Sequence, residues 1–114
     1  MDPHLARRLV GLLGLGARGR LVISGVDQVR EGMKKGEVEL LIIADDAAAN
    51  SRDKLLPLAT AKNVAILEGP DSVALGRSVG KEQVAAVGVT DRRLAKGIRE
   101  IMESGPPALA PSAQ

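Results

Sequence analysis

Leu40-Leu41-Ile42-Ile43-Ala44 is five apolar residues in a row with no alternation, stopped by Asp45-Asp46. A strand with one wet face alternates polar and apolar side chains, whereas an unbroken run of this length marks a strand covered on both faces. Such a strand needs helices above and below it. This one segment therefore commits the chain to a layered α/β architecture.

The remaining sequence supplies the layers. Leu5, Leu9, Leu12 and Leu13 recur at helical spacing from about Pro3 to Ala17, and Pro3 suits a first helical turn. Leu21-Val22-Ile23 reads as a short strand closed by Ser24-Gly25, followed by a helix from about Val26 to Lys35 with Gly36 as its C-cap. Beyond the apolar run, Asn50 is expected to cap a helix over Ser51 to Lys62, with Asp53 completing a capping box. Val64 to Leu67 reads as a second buried strand. Asp71 caps a short helix ending at Gly80, Val84 to Val89 forms a third core strand, and Thr90 is expected to cap a last helix to about Glu103. Strands alternating with helices give an α/β/α sandwich, placed in one domain over residues 3–103. Ser104-Gly105-Pro106-Pro107 opens a Pro, Ala and Ser tail over 104–114 that is expected to be disordered.

Composition narrows the chemistry. There is no Cys, which excludes disulfides, thiolate metal sites and cysteine nucleophiles, and His4 is the single histidine, which leaves no multi-His metal site. No Phe, Trp or Tyr is present, so bases cannot be stacked on an aromatic platform. No nucleophile–base pair or phosphate loop is apparent, so neither an enzyme nor a cofactor is expected. The net charge is only +2, but it is unevenly placed: residues 1–36 carry seven basic and three acidic groups, and residues 37–46 carry four acidic and none basic. A basic face is compatible with that total, and the potential of a face rather than net charge steers phosphate-rich ligands. The apolar stretch after Arg7-Arg8 is short and ends at Arg18 and Arg20 without a small-x-small cleavage site, so it is not read as a signal peptide. No stretch approaches the length that spans a bilayer, and the expected location is cytoplasmic.

Four segments invite functional readings. Gly14-Leu15-Gly16-Ala17-Arg18-Gly19 matches the GxGxxG dinucleotide fingerprint, but it follows a predicted helix rather than a strand, and Ser24-Gly25 interrupts the helix that ought to follow. A glycine-rich helix end is the expected use. Asp45-Asp46 close a buried strand where α/β proteins often place metal or phosphoryl chemistry, yet no further carboxylate is obviously placed, which favours a helix-entry turn. The second helix starts Ser24-Gly25-Val26-Asp27-Gln28 and continues through Arg30, Glu31, Lys34 and Lys35, with Val26, Val29 and Met33 pointing inward. Free N–H groups and the positive end of the dipole suit a phosphate or base edge at its start, where Gln28 offers both donor and acceptor. An ordinary solvated helix face is the plainer use of the same residues. Arg92, Arg93, Lys96 and Arg99 in the last helix are also expected to be solvated.

Leu12-Leu13-Gly14-Leu15, Ser24-Gly25, Lys35-Gly36, Leu40 to Asp46, Leu75-Gly76-Arg77-Ser78-Val79-Gly80-Lys81-Glu82 and Val87-Gly88-Val89-Thr90-Asp91 occur in this order over about residues 8–100. In this the chain resembles the superfamily of ribosomal proteins L-seven-Ae and L-thirty-e, most of all its small bacterial YlxQ-like branch. The resemblance implies a three-layer α/β/α fold around a mixed, roughly four-stranded sheet, and RNA binding, in many members to kink-turns. Relatives read RNA with a G-x-N-E-x-x-K or G-x-K-Q-x-x-K motif at the helix after the early glycine. A loop between the short helix and the last core strand makes a second contact. By position, Gly25 matches the motif glycine and Gln28 its Glu or Gln, whereas Asp27 stands for Asn or Lys and Glu31 for Lys.

The resemblance thus implies a non-catalytic, ribosome- or translation-associated RNA-binding protein. Gly25, Asp27 and Gln28 would lie at base edges, Arg30, Lys34 and Lys35 on phosphates beside Glu31, and Lys81, Glu82, Gln83 and Val84 over a flipped or stacked nucleotide. The alternative it leaves open is a protein-interaction module on the same fold, for which the acidic Asp27 and Glu31 argue.

Overall fold

A computed structural model describes residues 1–104, so the expected tail lies outside the described residues beyond Ser104. The chain runs α1 (Pro3–Arg18), β1 (Val22–Ser24), α2 (Val26–Lys34), β2 (Leu40–Ile43), α3 (Ala49–Ala61), β3 (Ala65–Glu68), α4 (Ser72–Ser78), β4 (Ala86–Val89) and α5 (Arg92–Ser104). The strands form one mixed sheet in the order β1-β4-β2-β3. β4 lies antiparallel to both β1 and β2, and β3 runs parallel to β2.

Strand β2 explains the layering. Its four residues are all buried, as the unbroken apolar run requires. Leu40, Ile42 and Ala44 point into one cluster with Leu9 and Leu13 of α1, Leu75 of α4 and Ala95 and Ile98 of α5. Leu41 and Ile43 point the other way, into a cluster with Val29 and Met33 of α2 and Leu55 and Ala59 of α3. Successive side chains on one strand thus feed two separate cores. The result is the α/β/α sandwich expected from sequence, around a mixed four-stranded sheet.

Several local expectations are corrected. β3 is not buried on both faces: it pairs only with β2, its residues alternate between half-buried and exposed, and Ile66 retains 41% exposure. An edge position, which the apolar content of Val64 to Leu67 does not reveal, is the reason. The last strand starts at Ala86, because Val84 is held off the sheet by its N–H bond to the Ser72 carbonyl. Asn50 does not cap α3. The Ala47 N–H closes a turn on the Ala44 carbonyl, the chain enters the helix at Ala49, and Asn50 is left inside the first turn with no side-chain cap and no capping box. Thr90 does not cap α5 either. Its hydroxyl donates to the Leu21 carbonyl at 2.9 Å, and the Asp91 carboxylate accepts from the Leu94 N–H at 2.8 Å in its place. The GxGxxG segment is the C-terminal half of α1 and the turn after it, where a side chain on Gly16 would run into Leu94 and Val22. Those glycines serve helix packing, and no dinucleotide loop exists here.

Two polar clamps hold the end of the sheet at which the parallel strands finish. The Asp46 carboxylate accepts from the Ser72 N–H at 2.8 Å and from its hydroxyl at 3.2 Å, tying the β2–α3 turn to the start of α4. Arg52 donates two parallel bonds to Glu68, at 2.8 and 2.9 Å, and a third to the Ala44 carbonyl at 3.1 Å. Those bonds hold the Glu68 carboxyl below its usual range. Asp45-Asp46 are therefore a structural turn, and among the described residues no group of three His, Cys, Asp or Glu is placed to hold a metal ion.

Candidate nucleic-acid interface

Helix α2 follows β1 without a loop, and Gly25 makes that possible. Its backbone has φ 97° and ψ 145°, a region that side chains with a Cβ rarely adopt. Its N–H donates to the Ala86 carbonyl at 2.9 Å, and its own carbonyl accepts from the Val29 N–H. Gly25 thus turns the chain and fastens the helix start to the first residue of β4. No side chain caps α2, so its foremost N–H groups remain available at the surface, with Asp27 in the first turn.

The residues that lead into β4 belong to the second candidate segment. Lys81 donates its N–H to the Gly76 carbonyl at 2.8 Å and Val84 its N–H to the Ser72 carbonyl at 3.0 Å. The loop therefore runs back along α4, from its end to its beginning. Gly76 permits this contact, since a Cβ there would land on the backbone of Gln83. Lys81, Glu82 and Gln83 are exposed, while Val84 is half-buried against the core of the α1/α4/α5 layer. Because Ser24 pairs with Val87 and Gly25 bonds to Ala86, the start of α2 and the end of this loop meet at one end of the sheet.

The structure does not gather all the expected residues there. Gly25, Asp27 and Gln28 share the helix start, and Glu31 lies one turn further along. Lys34 and Lys35 are at the far end of α2, about 12 Å away by helical rise. Lys34 contacts Glu31 at 3.5 Å, and its carbonyl accepts from the Lys62 amine. Arg30 is half-buried, and its Nε is enclosed without a hydrogen-bond partner. An open groove of about 370 Å³ runs along α2 beside the edge strand β1, lined by Ile23, Asp27, Gln28, Glu31, Gly32, Lys35 and Glu37. Three carboxylates and one amine make that groove acidic. From sequence Glu37 belongs only to an acidic strand entry, and it is the turn after α2 that brings it alongside Asp27 and Glu31.

Fold and site together define a small α/β/α protein that presents an uncapped helix start beside a loop laid along a short helix, at one end of a mixed sheet. The chain belongs to the family described as "Ribosomal protein L7Ae/L30e/S12e/Gadd45 family", whose model matches residues 11–102. It is similar to RNA-binding protein YlxQ of Bacillus subtilis (strain 168), at 32% identity over 92 residues, which is 81% of this chain and 92% of that protein. Among solved structures it is similar to a protein of unknown function from Bacillus halodurans C, with TM-score 0.79, 28% identity, and coverage of 83% of this chain and 96% of that one. The 15.5 kD RNA binding protein of Giardia lamblia shares the fold, with TM-score 0.75, 22% identity, and coverage of 91% and 89%.

Proposed function

We propose that this protein binds structured RNA, without catalysis, through the start of α2 and the Lys81–Val84 loop. The observation that carries the reading is the Gly25 N–H bond to the Ala86 carbonyl, which fastens an uncapped helix start to the strand that the exposed polar loop leads into. Family membership and the names of the B. subtilis and G. lamblia relatives support it. Main-chain N–H groups and Gln28 meet base edges or phosphates, and Lys81 to Gln83 cover an unstacked nucleotide. In this reading Lys34, Lys35 and Arg30 act on more distant phosphates. The finer form of the proposal is a kink-turn-like RNA, in a translation- or ribosome-associated cytoplasmic protein. No described helix is long and apolar enough to cross a membrane.

The acidic groove supports a second reading, a protein-interaction module in which Asp27, Glu31 and Glu37 receive a basic partner. Fluorescence anisotropy of a labelled kink-turn RNA and a straight duplex, titrated at two salt concentrations, separates the two. RNA reading predicts tighter binding to the kink-turn by at least about tenfold, the size of one well-placed charged contact. Equal, weak and steeply salt-dependent binding to both would reduce the claim to a basic surface. Absence of binding to either would leave the protein-partner reading.

A further inference from the structure

Where α1 ends against α4, two arginines share a cleft that the interface above does not use. Arg18 is the last residue of α1, and Arg77 lies in the last turn of α4. Both are exposed, and together with Gly14 and Ser78 they line two adjoining hollows of about 350 and 300 Å³. No acidic residue lines either hollow, and among the described residues neither guanidinium takes part in an ion pair. Gly11 and Gly14 leave helix backbone bare in a lining that Val10, Leu15, Ala17 and Val79 complete. A Cβ on Gly11 would meet nothing within 4 Å, and one on Gly14 would meet only the Ser78 carbonyl at 3.4 Å.

Each arginine also sits where a helix dipole is negative, and a cation there needs no ligand to be favourable. That role does not require two guanidiniums to converge on one acid-free hollow. Planar forks of donors over an open hollow without a carboxylate match the oxygens of a phosphodiester. The cleft is also joined to the RNA site. Three residues separate Arg77 from Lys81, and the loop then runs back along α4 to Ser72. The distance covered is the length of α4, about 10 Å.

We propose that the Arg18–Arg77 cleft is a second anchor for the RNA, holding phosphates of the strand that leaves the Lys81–Val84 loop. The inference rests on the RNA reading above and extends its footprint along α4 to the end of α1. It assigns a task to Arg77 within Leu75-Gly76-Arg77-Ser78, and to the arginine of the GxGxxG match, that sequence alone did not suggest.

The test is a salt titration of the labelled kink-turn RNA against the wild type, Arg18→Ala/Arg77→Ala and a control, Arg93→Ala/Lys96→Ala. The control removes two exposed α5 cations and leaves the cleft alone. Losing two phosphate contacts lowers the slope of log K against log salt by about 1.4–1.8. Affinity falls about tenfold at moderate salt, and the control leaves both unchanged. Melting curves by far-UV circular dichroism show that the variant is folded. An unchanged slope with normal wild-type binding overturns the cleft and leaves the RNA reading standing. Equal loss in cleft and control variants overturns it as well, by showing that any surface cation suffices. Failure of the wild type to bind overturns both readings together.

Discussion

Gly76→Ala is expected to destabilise the fold by about 2–4 kcal/mol and to lower the melting temperature by about 10–20 °C. The added Cβ would sit 2.7 Å from the Gln83 nitrogen and 2.8 Å from its carbonyl carbon, with the Gln83 Cα also in the way. These are backbone atoms and cannot rotate aside. Relief requires the loop to lift from α4, which breaks the Lys81 N–H bond to the Gly76 carbonyl and the Val84 N–H bond to Ser72. Two such bonds are worth about 1 kcal/mol each, and overpacking adds about 1–3 kcal/mol. The better helix propensity of alanine returns up to about 1 kcal/mol. Gly11→Ala is the internal comparison. It lies on an exposed part of α1 with open space around it, and is expected to raise the melting temperature slightly. Thermal melts followed by circular dichroism check both. Because the displaced segment is the proposed RNA loop, Gly76→Ala is also expected to weaken RNA binding more than its stability loss explains.

Asp27→Asn with Glu31→Lys is expected to tighten RNA binding by about thirtyfold at moderate salt. The two changes shift the charge of the groove by three units, beside a helix start argued to meet phosphates and base edges. A unit pair about 8 Å apart at an effective dielectric of about 20 is worth about 2 kcal/mol. Screening over a Debye length of about 8–10 Å leaves roughly 0.7 kcal/mol each. Three units then contribute about 2 kcal/mol. The new lysine loses the Glu31 contact with Lys34 and adds like charge beside Lys34 and Lys35, so a stability loss of a few tenths of a kcal/mol is expected. Anisotropy with the same labelled RNA measures the gain, and parallel melts measure the cost. Binding seen only in the double variant would identify the natural surface as a docking site for a basic protein.

The layered architecture was legible because β2 is an unbroken apolar run, and because apolar spacing in α1 and α2 has the helical period. Position within the sheet was not. Val64 to Leu67 is as apolar as a central strand, and only the pairing of β3 with β2 alone shows that it is an edge. Capping was read correctly at Asp71, whose carboxylate accepts from the Ala74 N–H. It failed at Asn50 and Thr90, where better-placed neighbours or tertiary bonds took over: Asp91 in one case, and the Ala47 turn in the other. Of the proposed site, the Lys81–Val84 loop came from the family resemblance, and the turn at Gly25 was legible as a glycine before a helix. The acidic groove and the Arg18–Arg77 cleft were not, because each joins residues from elements whose packing a single sequence does not specify. Lys34 and Lys35 lie at the opposite end of α2 from Gly25, so the contacts expected of them are with phosphates away from the helix start.

Amide chemical-shift mapping of the nitrogen-labelled protein, titrated with the kink-turn RNA, tests the central claim most directly. The account predicts the largest changes at Ser24 to Gln28 and at Lys81 to Ala86, with smaller ones reaching Arg77 and Arg18. Changes concentrated on α3 and β3, with the start of α2 and the Lys81–Val84 loop unmoved, would contradict it.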